Sequence, residues 1–298
     1  WNALWFWPLD KVDELPEIDE WIAGLQALLG EARRAKPSER AQFEIGQDPS
    51  WEEISVAEEF YLRFNMARSL DRAHAEHPWL VTAREVASEQ GFFHWELDFA
   101  AVFARGGFDF QVGNPPWVRP TINLDELLAE SDPWFKLAHK PTQEAKKQRR
   151  AAVLAGPAAR SIVQQGITET VATAEVLGDS VRYPFLVKQQ PDLYRGFMEQ
   201  TWRHVAPSGV VGLVHPESHF TEKKAASLRK AAYLRLRRHW QFINELSLYD
   251  VHHLVSYGVH IYANAQSAPG FLSATSLYHP STVTDSLVHD GSGAAPGI

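Results

Sequence analysis

The residues best suited to chemistry in this sequence are Asn114-Pro115-Pro116-Trp117. They follow Phe108-Asp109-Phe110-Gln111-Val112-Gly113, a run that reads as a strand. Two consecutive prolines have fixed φ and no N–H, so the bend offers carbonyl oxygens and the Asn114 amide oxygen while lacking backbone donors. An amino group with two N–H donors is matched by two such acceptors. Accepting both hydrogens draws the nitrogen lone pair out of conjugation with an aromatic ring and leaves a better nucleophile. Trp117 adds a flat face on which a base can stack, worth about 1–3 kcal/mol per base. The pattern describes a cradle for an exocyclic amine on a planar heterocycle; the plainer alternative is a proline-stiffened turn.

The elements around this loop alternate between strands and helices, which predicts an α/β architecture. Before it lies the aromatic segment Gly91 to Phe99. After Asp192, an N-cap residue, Leu193, Tyr194, Phe197, Met198, Thr201, Trp202 and Val205 share one helical face, closed by Pro207-Ser208-Gly209. Val210 to Val214 reads as a buried strand ending at His215-Pro216-Glu217-Ser218-His219-Phe220. A basic helix is expected over 222–240, and further strands over Ile243 to Leu248 and Val259 to Tyr262. The spacing of Ile18, Trp21, Ile22, Leu25, Leu28 and Leu29 predicts an N-terminal amphipathic helix, with a second over about 56–76. Four regions result: an acidic helical region at 1–90; an α/β core at 91–119 and 191–265; a basic, partly helical insertion at 120–190, read as DNA-contacting; and a Gly/Ser/Pro-rich connecting segment at 266–298.

With 298 residues, 45% hydrophobic and 22% charged, the chain has the composition of a soluble globular protein. The absence of cysteine excludes disulfides, thiolate metal sites and cysteine nucleophiles within it and fits a cytoplasmic location. No apolar run is long enough for a membrane span. The net charge of -8 argues against a polyanionic partner until its distribution is considered. Residues 1–60 hold five basic against fourteen acidic residues. Residues 136–160 hold seven against one, and residues 222–238 again seven against one. Two basic runs after the motif favour a polyanion, with Arg119, Lys146, Lys147, Arg149, Arg150, Arg235, Arg237 and Arg238 as candidate DNA contacts.

A strand followed by Asn-Pro-Pro-aromatic resembles the catalytic signature of S-adenosylmethionine-dependent amino methyltransferases, chiefly the N6-adenine DNA methyltransferases. Over roughly residues 90–298 the sequence is similar to the large methylases of type IIG-like restriction-modification and of phage-defence systems such as BREX and DISARM. The resemblance implies the catalytic-loop half of a Rossmann-like methyltransferase sheet, carrying a helical N-terminal region and a long insertion. It also implies double-stranded DNA as substrate and, in phage defence, other proteins of the same system as partners. Asn114 and the Pro115 carbonyl would hold the adenine amino group, with Pro116 completing the bend and Trp117 stacking on the ring. Tyr257 or Tyr249 would cover the other face of a base that has left the duplex.

The resemblance also implies a Gly-rich cofactor turn followed by an acidic residue. Neither is found; Gly291-Ser292-Gly293 has no preceding strand. The chain, starting without Met, is accordingly expected to be part of a longer enzyme, with the S-adenosylmethionine site largely outside it. His215, Glu217 and His219, and the later His252, His253 and His260, invite a metal reading. Pro216 breaks any helix that would align the first pair, so no metal is assigned and these histidines are expected to line the base or DNA pocket. Trp5, Phe6 and Trp7 read as core or interface. The alternatives to DNA methylation are methylation of a protein glutamine amide or an RNA base, and a non-catalytic DNA-recognition or scaffold subunit.

Overall fold

A computed structural model describes residues 1–30 and 67–293. These divide into two compact units, Trp1–Phe92 and Phe93–Ile298. In the first, α1 (Ile18–Leu29), α2 (Leu70–Glu76) and α3 (Trp79–Glu89) pack around Trp7, Ala27, Ala73, Trp79 and Leu80. Trp7 of the N-terminal aromatic run is buried there, and its Nε1–H donates to the Lys11 carbonyl at 2.8 Å. The expected apolar stripe of α1 is only partly covered: Trp21 and Leu28 pack on the core, but Ile18, Ile22 and Leu29 are exposed. Of the helix expected over 56–76, α2 is the C-terminal part; residues 67–69 are not helical, and 56–66 lie outside the described residues.

The second unit is built on a five-stranded mixed sheet: β1 (Phe108–Gly113), β2 (Val205–Pro216), β3 (Leu236–Ile243), β4 (Ser256–Tyr262) and β5 (Leu272–Leu277), in the order β1-β2-β4-β3-β5. The β1–β2 and β3–β5 pairs are parallel, whereas β4 runs antiparallel to both β2 and β3. This is the expected α/β class. Between β1 and β2 lie α4 (Gln143–Ala155), capped by the Thr142 hydroxyl, α5 (Pro157–Gly178) and α6 (Leu193–His204). A small core of its own, Leu128, Phe135 and Val163, holds the 120–190 region together.

The main core forms where α6 and α7 (Ala226–Arg235) cover one sheet face, burying Tyr194, Met198, Leu228 and Ala232 against Val211, Leu213, Leu236 and Tyr262. Gly107 sets the entry to β1. Its φ is +115°, and a Cβ there would lie 2.4 Å from the His204 carbonyl oxygen, so only glycine lets the chain pass the end of α6.

Three expectations are corrected. The basic run 222–240 is not one helix: α7 ends at Arg235, and residues 236–243 form β3 because they pair with β4. The strand expected over Ile243 to Leu248 is instead a 3-10 turn at Asn244–Leu246 ending in Ser247 at φ +50°. The 266–298 segment contributes β5 and a helix at Ser281–Val288 rather than a featureless connection.

Glu199 on α6 is 4% exposed, and its carboxylate accepts the Phe185 N–H at 3.2 Å. Burial raises its pKa to about 7 from the ordinary 4.5. The sign follows from linkage. Its contribution to stability is fully present below pH 4.5, where both states are protonated, and is lost as pH rises through 7. The loss is of order 3 kcal/mol. The unfolding free energy from urea titration is therefore expected to fall between pH 5 and pH 8 by roughly this amount, with a matching fall in the urea midpoint, and Glu199→Gln is expected to remove the fall.

Candidate active site

The Asn-Pro-Pro-Trp loop leaves the C-terminal end of β1 and is pinned on its far side. The Trp117 Nε1–H donates to the Val214 carbonyl at 3.2 Å, the Leu193 N–H donates to the Val118 carbonyl at 3.0 Å, and the Arg119 Nε–H donates to Asp192 at 3.1 Å. These bonds tie the loop to β2 and to the N-terminus of α6. Burial pushes the Asp192 carboxyl up, with Arg119 and Arg195 pulling against it.

At its near side the loop is open. Pro115 is buried, whereas Asn114 is exposed and its side-chain amide makes no hydrogen bond among the described residues. Asn114, Pro115 and Pro116 line a cavity of about 550 Å³ together with Trp95, Phe110 and Gln200. The cavity runs along β1, whose only strand partner among the described residues is β2. Phe110 and Val112, 69% and 71% exposed, leave an apolar strand edge uncovered.

Trp117, Tyr249 and Tyr257 come together although 132 residues separate Trp117 from Tyr249. The indole centroid lies 5.2 Å from Tyr249 and 5.7 Å from Tyr257, with planes tilted by 45° and 33°. The two tyrosines are not equivalent. Tyr257 is buried and stacks on Phe242 at 5.7 Å, so it forms the floor of the cluster. Tyr249 is half-buried on a loop held by Asn244, whose amide donates to the Tyr249 and Val251 carbonyls, both at 2.9 Å. Of the pair, Tyr249 has the ring that can meet a ligand.

The basic candidates divide by what they already bind. Arg119 is held by Asp192 and Gln190, Lys146 and Arg150 by Asp125, and Arg149 by both oxygens of Asp132 at 2.5 and 3.1 Å. Lys147 has no carboxylate partner among the described residues. Arg235 lies over the Trp202 and Phe185 rings at 5.1 and 5.5 Å, and Arg237 donates to four backbone carbonyls. Both serve the protein's own packing, and Arg238 is half-buried in β3. The second basic run is thus not a continuous phosphate-tracking helix face. His215, His219 and His260 are fully buried against Tyr194 and Tyr262 in the core and do not line the β1 cavity; His252 and His253 are exposed and stack on each other.

A family model described as Eco57I restriction-modification methylase matches residues 44–149, a stretch that includes the Asn114–Trp117 loop. Among solved structures the chain is similar to "ATP-dependent Type ISP restriction-modification enzyme LlaBIII bound to DNA", at 12% identity and a TM-score of 0.29. The likeness covers 56% of this chain and 10% of that one, so this chain spans about a tenth of its length. A search of curated proteins gives no match. The chain is therefore similar over its loop-bearing segment to a restriction-modification methylase. No described helix is long and apolar enough to cross a membrane.

Proposed function

We propose that this chain is the amine-binding part of a DNA methyltransferase that methylates adenine N6, with S-adenosylmethionine as donor, in restriction-modification or phage defence. The observation that carries the reading is the exposed, unengaged Asn114 amide at the mouth of a cavity, on a bend whose prolines supply no donors. Asn114 Oδ1 and the Pro115 carbonyl accept the two amine hydrogens and hold the nitrogen lone pair toward an incoming methyl group. Positioning of this kind is the main catalytic contribution such a loop can make. The Trp117–Tyr249 pair offers aromatic surface to an extruded base.

The residues described do not fit the whole methyl donor. The cavity lining has apolar and amide groups, the Thr201 hydroxyl and the His204 imidazole, but no carboxylate to hold ribose hydroxyls and no glycine at positive φ to cradle it. The exposed Phe110 and Val112 on β1 support the reading that a further layer, carrying the donor site, covers this edge. Of the candidates Lys146, Lys147, Arg149 and Arg150, Lys147 is the one without a carboxylate partner among the described residues and so the one free to meet phosphate.

The test is methyl transfer by the full-length protein to three acceptors: duplex DNA, RNA and protein. Incorporation into DNA alone supports the reading. Incorporation into protein or RNA moves the same loop chemistry to another amine, and DNA binding without transfer to any acceptor points to a recognition or scaffold subunit.

A further inference from the structure

Away from the β1 cavity, three strands bring together side chains that no sequence spacing connects. Glu217 follows the end of β2, His239 lies in β3 and His260 in β4, and one ligand atom from each lies within 4.8 Å of the others. The register explains the meeting. His239 pairs with His260 across β3 and β4, and Gly258 pairs with His215 across β4 and β2, so the alternating residues project to the same sheet face.

We propose that Glu217, His239 and His260 form a divalent-metal site, with zinc the best match to a two-histidine, one-carboxylate donor set. Each group is prepared for the role. His239 Nε2 faces Glu217 Oε1, while its Nδ1 is hydrogen-bonded to the Ser273 hydroxyl at 3.1 Å, an arrangement that fixes the ring orientation and the metal-facing nitrogen. Glu217 Oε2 accepts from the Gln241 amide at 2.7 Å, which orients the carboxylate while Oε1 is shared with His239.

His260 supplies the independent observation. It is fully buried, both of its ring nitrogens lack a hydrogen-bond partner, and Nε2 lies 3.9 Å from Glu217 Oε1. A buried imidazole with no partner is a polar group whose burial is uncompensated, and a cation between Nε2 and Oε1 compensates the Nε2 side of it. The space for the ion is kept by Gly258. A Cβ there would lie 2.7 Å from His260 Nε2 and 3.0 Å from Glu217 Oε1. With three protein ligands the fourth position goes to water. The ion ties the end of β2 to the middle of β3 and β4 and holds the Glu217–Ser218 turn, whose Ser218 hydroxyl contacts Tyr194 and Arg195 at the N-terminal end of α6.

The test is metal content and affinity of the full-length protein. After treatment with a chelator, titration with Zn2+ or Co2+ is expected to show one equivalent bound at this site, a tetrahedral Co2+ absorption spectrum and a rise in thermal midpoint. Glu217→Gln and His239→Ala are each expected to abolish stoichiometric binding. Gly258→Ala, which removes no ligand, is expected to do the same by filling the space, and Ser273→Ala to weaken binding about tenfold. Should His239→Ala fail to fold, Glu217→Gln and Ser273→Ala still decide the matter. No Co2+ spectrum in the wild type, or stoichiometric binding unchanged in both Glu217→Gln and Gly258→Ala, overturns the proposal. Neither outcome depends on methyl transfer.

Discussion

Replacing Asn114 with Ala is expected to lower methyl transfer by the full-length protein at least a hundredfold, acting on kcat rather than on DNA affinity. The side chain is exposed, and its amide makes no internal hydrogen bond among the described residues, so its removal leaves no buried group unsatisfied and costs the fold little. On the proposed function, what is lost is one of two acceptors that fix the amine and localise its lone pair, and misplacement of a reacting group by about 1 Å alone costs about a hundredfold. Asn114→Asp keeps an acceptor oxygen and should retain more activity than Asn114→Ala. Steady-state transfer rates set beside DNA affinity measure the split. Equal loss of both would mean that the loop binds DNA generally rather than its target amine.

The second large effect concerns stability. Arg195 on α6 is 1% exposed, yet its guanidinium donates to the Tyr194 hydroxyl at 3.1 Å, to Gln189 at 3.2 Å, to the Ser218 hydroxyl at 3.0 Å and to Glu222. It joins the N-terminal turn of α6 to the segment following β2. Arg195→Met keeps much of the volume but strands these acceptors, and the expected loss is about 3 kcal/mol, at the low end for a broken buried pair because Glu222 is partly solvated. Lysine cannot reproduce the planar fork, so Arg195→Lys should recover only part of it. The pH dependence has the opposite sign to that of Glu199. The Arg195 hydrogen bond holds the Glu222 pKa below its ordinary value, so the pair's stabilisation is present above that value and lost as pH falls through the depressed one. Denaturant midpoints measured down this acid limb should fall in the wild type and lack this component in Arg195→Met.

What the sequence made legible was local. The Asn-Pro-Pro-Trp bend is visible because proline cancels donors wherever it occurs, and α6 because its apolar residues recur with helical period over three turns. The Lys/Arg/Ala-rich stretch after Glu222 misleads for the same reason. Its composition suits a helix throughout, but Leu236 to Ile243 are drawn into β3 by pairing with β4, a partner about twenty residues further on. Tertiary pairing overrides local propensity there. The same blindness to pairing hid β5, whose Leu272–Leu277 stretch has three hydroxyl residues in six and joins the sheet at its edge.

The site divides along the same line. Trp117 was evident as part of its motif, but whether Tyr249 or Tyr257 presents a ring depends on burial, which residue identity does not reveal. Counting basic residues likewise overstated the surface available for phosphate, since Arg235 and Arg237 are engaged by rings and carbonyls. His239 carried no local signal at all: it lies 22 residues from Glu217 and 21 from His260, and only the strand register brings the three together. Of the histidines that the sequence did single out, His215 and His219 belong to the buried core, His252 and His253 are exposed, and His260 alone meets Glu217 and His239.

The most direct measurement of the central claim is the identity of the methylated atom. Duplex DNA incubated with the full-length protein and isotopically labelled S-adenosylmethionine, then digested to nucleosides and resolved by mass spectrometry, should carry the label on the N6 amine of adenine, and Asn114→Ala should erase that signal. Label on a ring carbon, or N6-methyladenine formed equally well by Asn114→Ala, would contradict an amine held by the oxygens of this bend.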